Sequence, residues 1–149
     1  MQKPKLLCLH GALGCAAQME SALKPLQAHF QLYFIDFPGH GQRTAEPLNL
    51  ANCVAATREF ILKNNLAGVP ILGYSMGGYV ALLLAKTNPE LVGQIITLGT
   101  KLAWNPHDAA AEVAKLNPEI ILEKVPKYAA ALQNMHGNFW EEVLANTAK

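Results

Sequence analysis

The sequence predicts an α/β fold: a mostly parallel, doubly wound sheet of about four strands followed by a helical segment. Three observations carry this. Up to Leu98, short β-type runs alternate with helical stretches. The first run is unbroken apolar sequence rather than alternating in polarity, as in a strand covered on both faces. After Leu98 the alternation stops and only helix-start signals follow.

The elements follow in order. Lys5–Leu9 is the first strand, buried on both faces. Ala16–Phe30 carries Met19, Ala22, Leu23 and Leu26 at helical spacing, with Pro25 placed to bend it. Gln31–Asp36 is the second strand and closes on the turn signal Pro38-Gly39-His40-Gly41. Leu50–Asn64 reads as a helix with Asn49 as its N-cap. Val69–Leu72 is the third strand, Met76–Lys86 the third helix and Gln94–Leu98 the fourth strand. Strand–helix–strand units repeated in this way imply parallel strands with crossovers on both faces.

Composition shifts near Lys101, which divides the chain into a core over residues 1–100 and a helical cap over 101–149. Asn105-Pro106 and Asn117-Pro118 each place an N-cap before a first-turn proline. Asn138 with Glu141 resembles a capping box. The apolar residues of this segment, among them Trp104, Val113, Ile120, Leu132, Phe139 and Trp140, are expected to lie over the edge of the sheet.

Bulk properties exclude several function classes. Hydrophobic residues make up 51% and charged residues 15% of the 149, with a net charge of +1. That balance gives no reason to expect nucleic acid or an anionic membrane as partner. Only the short apolar run Leu6–Leu9 follows the N-terminal residues, where a secretory signal needs about 7–15. No run approaches the ~18 apolar residues of a membrane span. Cys8, Cys15 and Cys53 fit no metal spacing and, with no secretory signal, no disulfide framework. The expectation is a cytoplasmic protein with reduced, mostly packing thiols, no metal and no organic cofactor.

Three motifs can carry chemistry. Gly73-Tyr74-Ser75-Met76-Gly77, with Gly78 following, joins an apolar strand to an apolar helix. A serine on so tight a turn is strained, and small neighbours permit it. The turn lifts the hydroxyl clear of the sheet, while the N–H groups of the following helix face the oxyanion that would form. His10-Gly11-Ala12-Leu13-Gly14 stands at the end of the first strand, where ligands of open α/β sheets bind and a backbone N–H can supply a second oxyanion donor. The His10 side chain itself reads as a loop-fixing histidine. Asp36-Phe37-Pro38-Gly39-His40-Gly41 reads as a strand-end turn with a side-chain-capped loop, with His40 as catalyst the minor alternative.

These three motifs, in this order and strand context, resemble the α/β-hydrolase superfamily over residues 5 to about 100. The resemblance implies that Ser75 is the nucleophile and that the N–H groups of Ala12 and Met76 form the oxyanion hole. His10, Gly11, Leu13 and Tyr74 would line the substrate pocket, and residues 101–149 would begin the lid. It implies a small acyl substrate, a carboxylic ester or thioester, processed through an acyl-enzyme.

The family's acid and histidine follow the nucleophile on loops after later strands. No such strands are legible here, so the chain is expected to stop short of both. Asp108 and His136 follow Ser75 in the right order. Asp108, however, sits where an acidic residue suits a helix N-terminus, and His136 where a histidine suits a helix C-terminus. His29 and His107 read as surface histidines. Two alternatives stand beside the hydrolase. One is elimination on the same scaffold, weakened by Tyr79, which stands where such members tend to carry arginine. The other is a catalytically incomplete binding or scaffolding fragment that self-associates through an exposed sheet edge.

Overall fold

The computed structural model describes residues 2–149. Four parallel strands, β1 (Lys5–Leu9), β2 (Gln31–Ile35), β3 (Val69–Tyr74) and β4 (Val92–Leu98), form one sheet in the order β2-β1-β3-β4. The third strand runs on into the serine turn as far as Tyr74, and the fourth begins before Gln94, at Val92. The second stops at Ile35, which leaves Asp36 free to cap the loop beyond it.

The helix expected over Ala16–Phe30 is two pieces. α1 (Ala16–Ala22) ends at Leu23, and a 3₁₀ turn over Lys24–Ala28 carries Pro25. Proline supplies no N–H to continue the α-helical ladder, so a break replaces the expected bend. The sulfur of Cys15 accepts the Gln18 N–H at 3.4 Å as the N-cap of α1. α2 (Leu50–Lys63) starts at Asn49, whose side chain accepts the Asn52 N–H at 2.8 Å. α3 (Met76–Thr87) follows the serine turn directly.

The chain steps one way from β1 to β2 and the other way from β2 to β3 and from β3 to β4. Right-handed crossovers then put the first helix on one face and the next two on the other. Side-chain alternation agrees. Leu7, Leu9, Ile35 and Ile71 pack with Cys53, Ala56 and Ile61 of α2 and Val80, Ala81 and Leu84 of α3. Leu6 and Cys8 face the other way, onto Met19 of α1, with Leu32, Phe34 and Leu72 beside them. Because α1 is the only core helix on that face among the described residues, Ile96 and Leu98 of β4 stand 57% and 59% exposed there.

Four helices follow the sheet: α4 (Pro106–Val113), α5 (Pro118–Lys124), α6 (Pro126–His136) and α7 (Trp140–Thr147). Asn105 and Asn117 cap α4 and α5 as expected. The capping box at Asn138 does not form. Residues Gly137–Phe139 make a 3₁₀ turn, and α7 begins at Trp140 without a side-chain cap. The boundary at Pro126, where a new helix starts with proline in its first turn, is an element the sequence reading passed over. Burial of the segment's apolar residues is also only partial. Ile121, Ala129, Leu132, Trp140 and Leu144 form a core with Leu13 packed against it. Trp104, Val113, Ile120, Leu122, Tyr128 and Phe139 stay exposed, and α4 buries nothing. No helix among the described residues is long and apolar enough to cross a membrane.

Candidate active site

The strand order creates the site. β1 and β3 are neighbours, and the chain leaves their C-terminal ends in opposite directions, which opens a crevice between the two following loops. One loop is His10–Gly14; the other is the turn at Ser75. Ser75 holds φ +50° and ψ −114°, a left-handed backbone at a non-glycine residue between β3 and α3. Its N–H donates to Leu98 O at 2.8 Å, and its carbonyl accepts from Thr100 Oγ1 at 2.9 Å and the Gly78 N–H at 3.0 Å. The end of β4 therefore over-determines a conformation that the serine alone would not hold.

Two glycines let the elements close up. A Cβ on Gly73 would stand 2.6 Å from the Gly77 carbonyl, and one on Gly77 would run into the Leu9 carbonyl. The first turn of α3 thus presses on the end of β1 and brings Met76 beside the His10–Gly14 loop. Met76, the first residue of α3, has no i−4 acceptor for its N–H. Among the described residues no acceptor is found for the Ala12 N–H either.

The histidines hold this loop from below. His10 is buried, with Nδ1–H donating to Gly11 O at 2.7 Å and Nε2 accepting the Phe37 N–H at 3.0 Å. Burial pushes its pKa down to about 4, so it is a neutral link between the ends of β1 and β2. His40, also buried, accepts the Leu13 N–H on Nε2 at 3.2 Å and faces Pro38 O with Nδ1 at 3.3 Å. Burial, then the neighbouring His10, pushes it down to about 4. Asp36 accepts the Ala16 N–H at 2.7 Å on one oxygen and the Gln42 N–H at 3.0 Å on the other, the side-chain-capped loop expected of it.

His136 ends α6, the helix C-terminus expected of it, but it is buried there: at 3% exposure it accepts the Gly41 N–H on Nδ1 at 3.0 Å and bonds Leu13 O through Nε2 at 3.0 Å. Burial lowers its pKa. With both nitrogens engaged it offers Ser75 no free lone pair. Asp108 lies in the first turn of α4, paired with Lys101. His107 is surface, its side chain 94% exposed, and His29 is exposed too.

Tyr74 and Gly11 meet where the two loops come together. The Tyr74 ring lies over Gly11, where an added Cβ would approach its Cδ1 to 2.9 Å, and against Gly99 on the other side. Burial, then the charge of Tyr74, pushes the phenol pKa of Tyr128 in α6 up. No sequence signal marked Thr100, because it reaches the Ser75 carbonyl only through tertiary packing. Surface hollows of about 190 Å³ beside Arg43 and Glu59, and about 310 Å³ between Pro4 and Val69, lie away from Ser75. The three cysteines are buried and free, with the thiols of Cys8 and Cys53 pushed up by burial to about 12 and about 11. No cluster of three His, Cys, Asp or Glu side chains among the described residues could hold a metal.

Comparison with known proteins agrees with this architecture. The model of the alpha/beta hydrolase fold family matches residues 4–147. The chain is 31% identical over 116 residues to a pimeloyl-(acyl-carrier protein) methyl ester esterase of Yersinia enterocolitica, covering 78% of this chain and 43% of that protein. It is 34% identical over 98 residues to a 2-succinyl-6-hydroxy-2,4-cyclohexadiene-1-carboxylate synthase of Salmonella agona, covering 64% of this chain and 38% of the relative. The chain thus spans less than half of either. In fold it is similar to NosK of Streptomyces actuosus, with a TM-score of 0.80 at 20% identity over 99% of this chain and 64% of that one. The strand order, the strained serine between β3 and α3 and the family match together make this chain a member of the alpha/beta hydrolase fold family.

Proposed function

We propose that this chain carries the nucleophile half of a serine hydrolase that cleaves a carboxylic ester or thioester through an acyl-enzyme on Ser75. The observation that carries it is the strained φ of +50° at Ser75, directly before Met76 and against the loop that carries Ala12. Attack by Ser75 Oγ on the acyl carbon would place the new oxyanion on the N–H groups of those two residues. The alcohol or thiol would leave with a proton, and water would then release the acid. Tyr74, Tyr128 and Leu13 would contact the acyl group, with residues 101–149 as the lid. Similarity to an esterase supports this reading. Elimination on the same scaffold is the variant, and similarity to a synthase leaves room for chemistry other than hydrolysis; Tyr79, which weakens that variant, is engaged as acceptor of the Trp104 indole N–H at 2.7 Å.

Every buried histidine has both nitrogens engaged, so the base and the acid that orients it are proposed to come from outside these residues. Labelling with a fluorophosphonate probe tests this. The expected result is slow labelling that maps to Ser75, disappears in Ser75→Ala and speeds up when free imidazole supplies a base. A folded protein that labels elsewhere, or not at all with imidazole present, would overturn the assignment.

A second reading is favoured by the uncovered apolar residues of the edge strand β4. Such an edge pairs readily with another strand, which supports a scaffolding fragment that self-associates. Ile96→Lys should then shift an oligomer to monomer in sedimentation velocity. A wild-type chain that sediments as a monomer at high concentration excludes this reading.

A further inference from the structure

We propose that His136 is a positioning residue: from the end of α6 it holds the Leu13 carbonyl, so that the C-terminal helices set the geometry of the loop carrying Ala12. The proposal rests on the reading of Ala12 as an oxyanion donor. Leu13 is a leucine at φ +64°, a left-handed conformation that leucine rarely adopts. Such a backbone persists only where its surroundings impose it. Three contacts do so. The Leu13 N–H donates to His40 Nε2, its carbonyl is held by His136 Nε2, and its side chain packs on the core of α5, α6 and α7.

The chemistry of the ring fixes the direction of each bond. The Gly41 N–H is a donor, so the Nδ1 it meets at 3.0 Å must carry the lone pair. The proton therefore sits on Nε2 and points at Leu13 O at 3.0 Å. One neutral ring thus joins the loop after β1 to the loop after β2, from a residue more than ninety positions further along the chain than either Gly41 or Leu13. Removing the Nε2–H leaves the Leu13–Gly14 peptide held only through the Gly14 N–H, which donates to Gly11 O at 3.1 Å. The turn from Gly11 to Gly14, which carries Ala12, then loses its tie to the C-terminal helices.

Side-chain amides separate the two bonds. In His136→Gln the amide nitrogen takes the place of Nε2 and can still donate to Leu13 O. In His136→Asn the amide oxygen takes the place of Nδ1 and can still accept from Gly41. His136→Phe keeps a ring of similar size and loses both bonds. Backbone ¹H–¹⁵N spectra of the 149-residue chain read the loop directly. Ala12, Leu13 and Gly14 amides should stay near their wild-type positions in His136→Gln and move in His136→Asn and His136→Phe, while the Gly41 amide holds in His136→Asn. Ser75 labelling should stay within about threefold of wild type in His136→Gln and fall about tenfold or more in the other two, a part of what a lost oxyanion donor costs. Ala12–Gly14 amides unmoved in folded His136→Asn, or a wild-type ring carrying its proton on Nδ1, would overturn the proposal. If His136→Phe does not fold, the Gln and Asn pair decides it. If wild type does not label, the reading of Ser75 is what fails, and the amide and ring spectra still decide the role of His136.

Discussion

Alanine at Gly77 sets two physical effects against each other, and the structure says which wins. Gly77 is the second residue of α3 and holds an ordinary backbone, with no positive φ to protect. On helix propensity alone, alanine there is better than glycine by about 1 kcal/mol. The packing gives the opposite sign. A Cβ would run into the Leu9 carbonyl oxygen and stand 2.7 Å from the Leu9 carbonyl carbon and 2.8 Å from His10 O. These are main-chain atoms at the end of the central strand β1, and they cannot swing aside as a flexible side chain can. Overpacking a site of this kind costs about 1–3 kcal/mol. An overpacking cost of about 2 kcal/mol less the propensity gain of about 1 kcal/mol leaves a net loss of about 1 kcal/mol. At a urea slope of about 2 kcal/mol/M, that lowers the midpoint by about 0.5 M. Gly68→Ala is the comparison: its φ is +75° but nothing lies within 4 Å of an added Cβ, so it carries only left-handed strain of about 1–2 kcal/mol. A Gly77→Ala midpoint at or above wild type would refute the account of how α3 is seated on β1.

Two further outcomes follow from burial. His10 and His40 have pKa values pushed down to about 4 in the folded chain against an ordinary 6.5, so the unfolded chain binds more protons between those values. Stability is therefore complete above pH 6.5 and lost as the pH falls toward 4, by up to about 1.4 kcal/mol per pH unit for each histidine. Urea midpoints that stay flat across that window would contradict neutral, buried imidazoles. Leu132 is fully buried among the C-terminal helices while Leu122 is 51% exposed. Truncation to alanine should cost about 2–5 kcal/mol at Leu132 and within about 0.5 kcal/mol at Leu122, read by thermal unfolding; equal losses would mean the helices are packed differently.

The sheet was legible because its signals are local. Lys5–Leu9 is apolar throughout, and a strand covered on both faces needs nothing else. Asn49, Asn105 and Asn117 announce three helices through a bond made within three residues. The Ser75 turn was legible for the same reason, since glycines flank the strained residue in sequence as well as in space. What the sequence hid is non-local. Asn138 and Glu141 have the spacing of a capping box, but Gly137 and Phe139 are drawn into a 3₁₀ turn and the box never closes. His136 has the sequence setting of a helix-end cation, and only the fold brings Gly41 and Leu13 onto its two nitrogens. The exposure of Ile96 and Leu98 likewise depends on which face each crossover takes, which no short window contains.

Three histidines in one buried cluster raise the question of what charge the site presents. His10 and His40 lie with ring centroids 5.1 Å apart, and His40 and His136 5.8 Å apart. Two cations at such distances in a poorly solvated site repel strongly, and desolvation already disfavours either one. Imidazole is suited to the place because its neutral form is double-ended, donating on one nitrogen and accepting on the other. Each ring here links a backbone N–H to a backbone carbonyl, which lysine or arginine, as donors only, cannot do. The cluster is thus a set of neutral struts, His10 at Gly11 and His40 and His136 at Leu13. At neutral pH the cluster adds no positive charge, so in the reaction proposed for Ser75 an oxyanion would be stabilised by peptide dipoles, those of Met76 at the start of α3 and of Ala12 in the loop the struts hold.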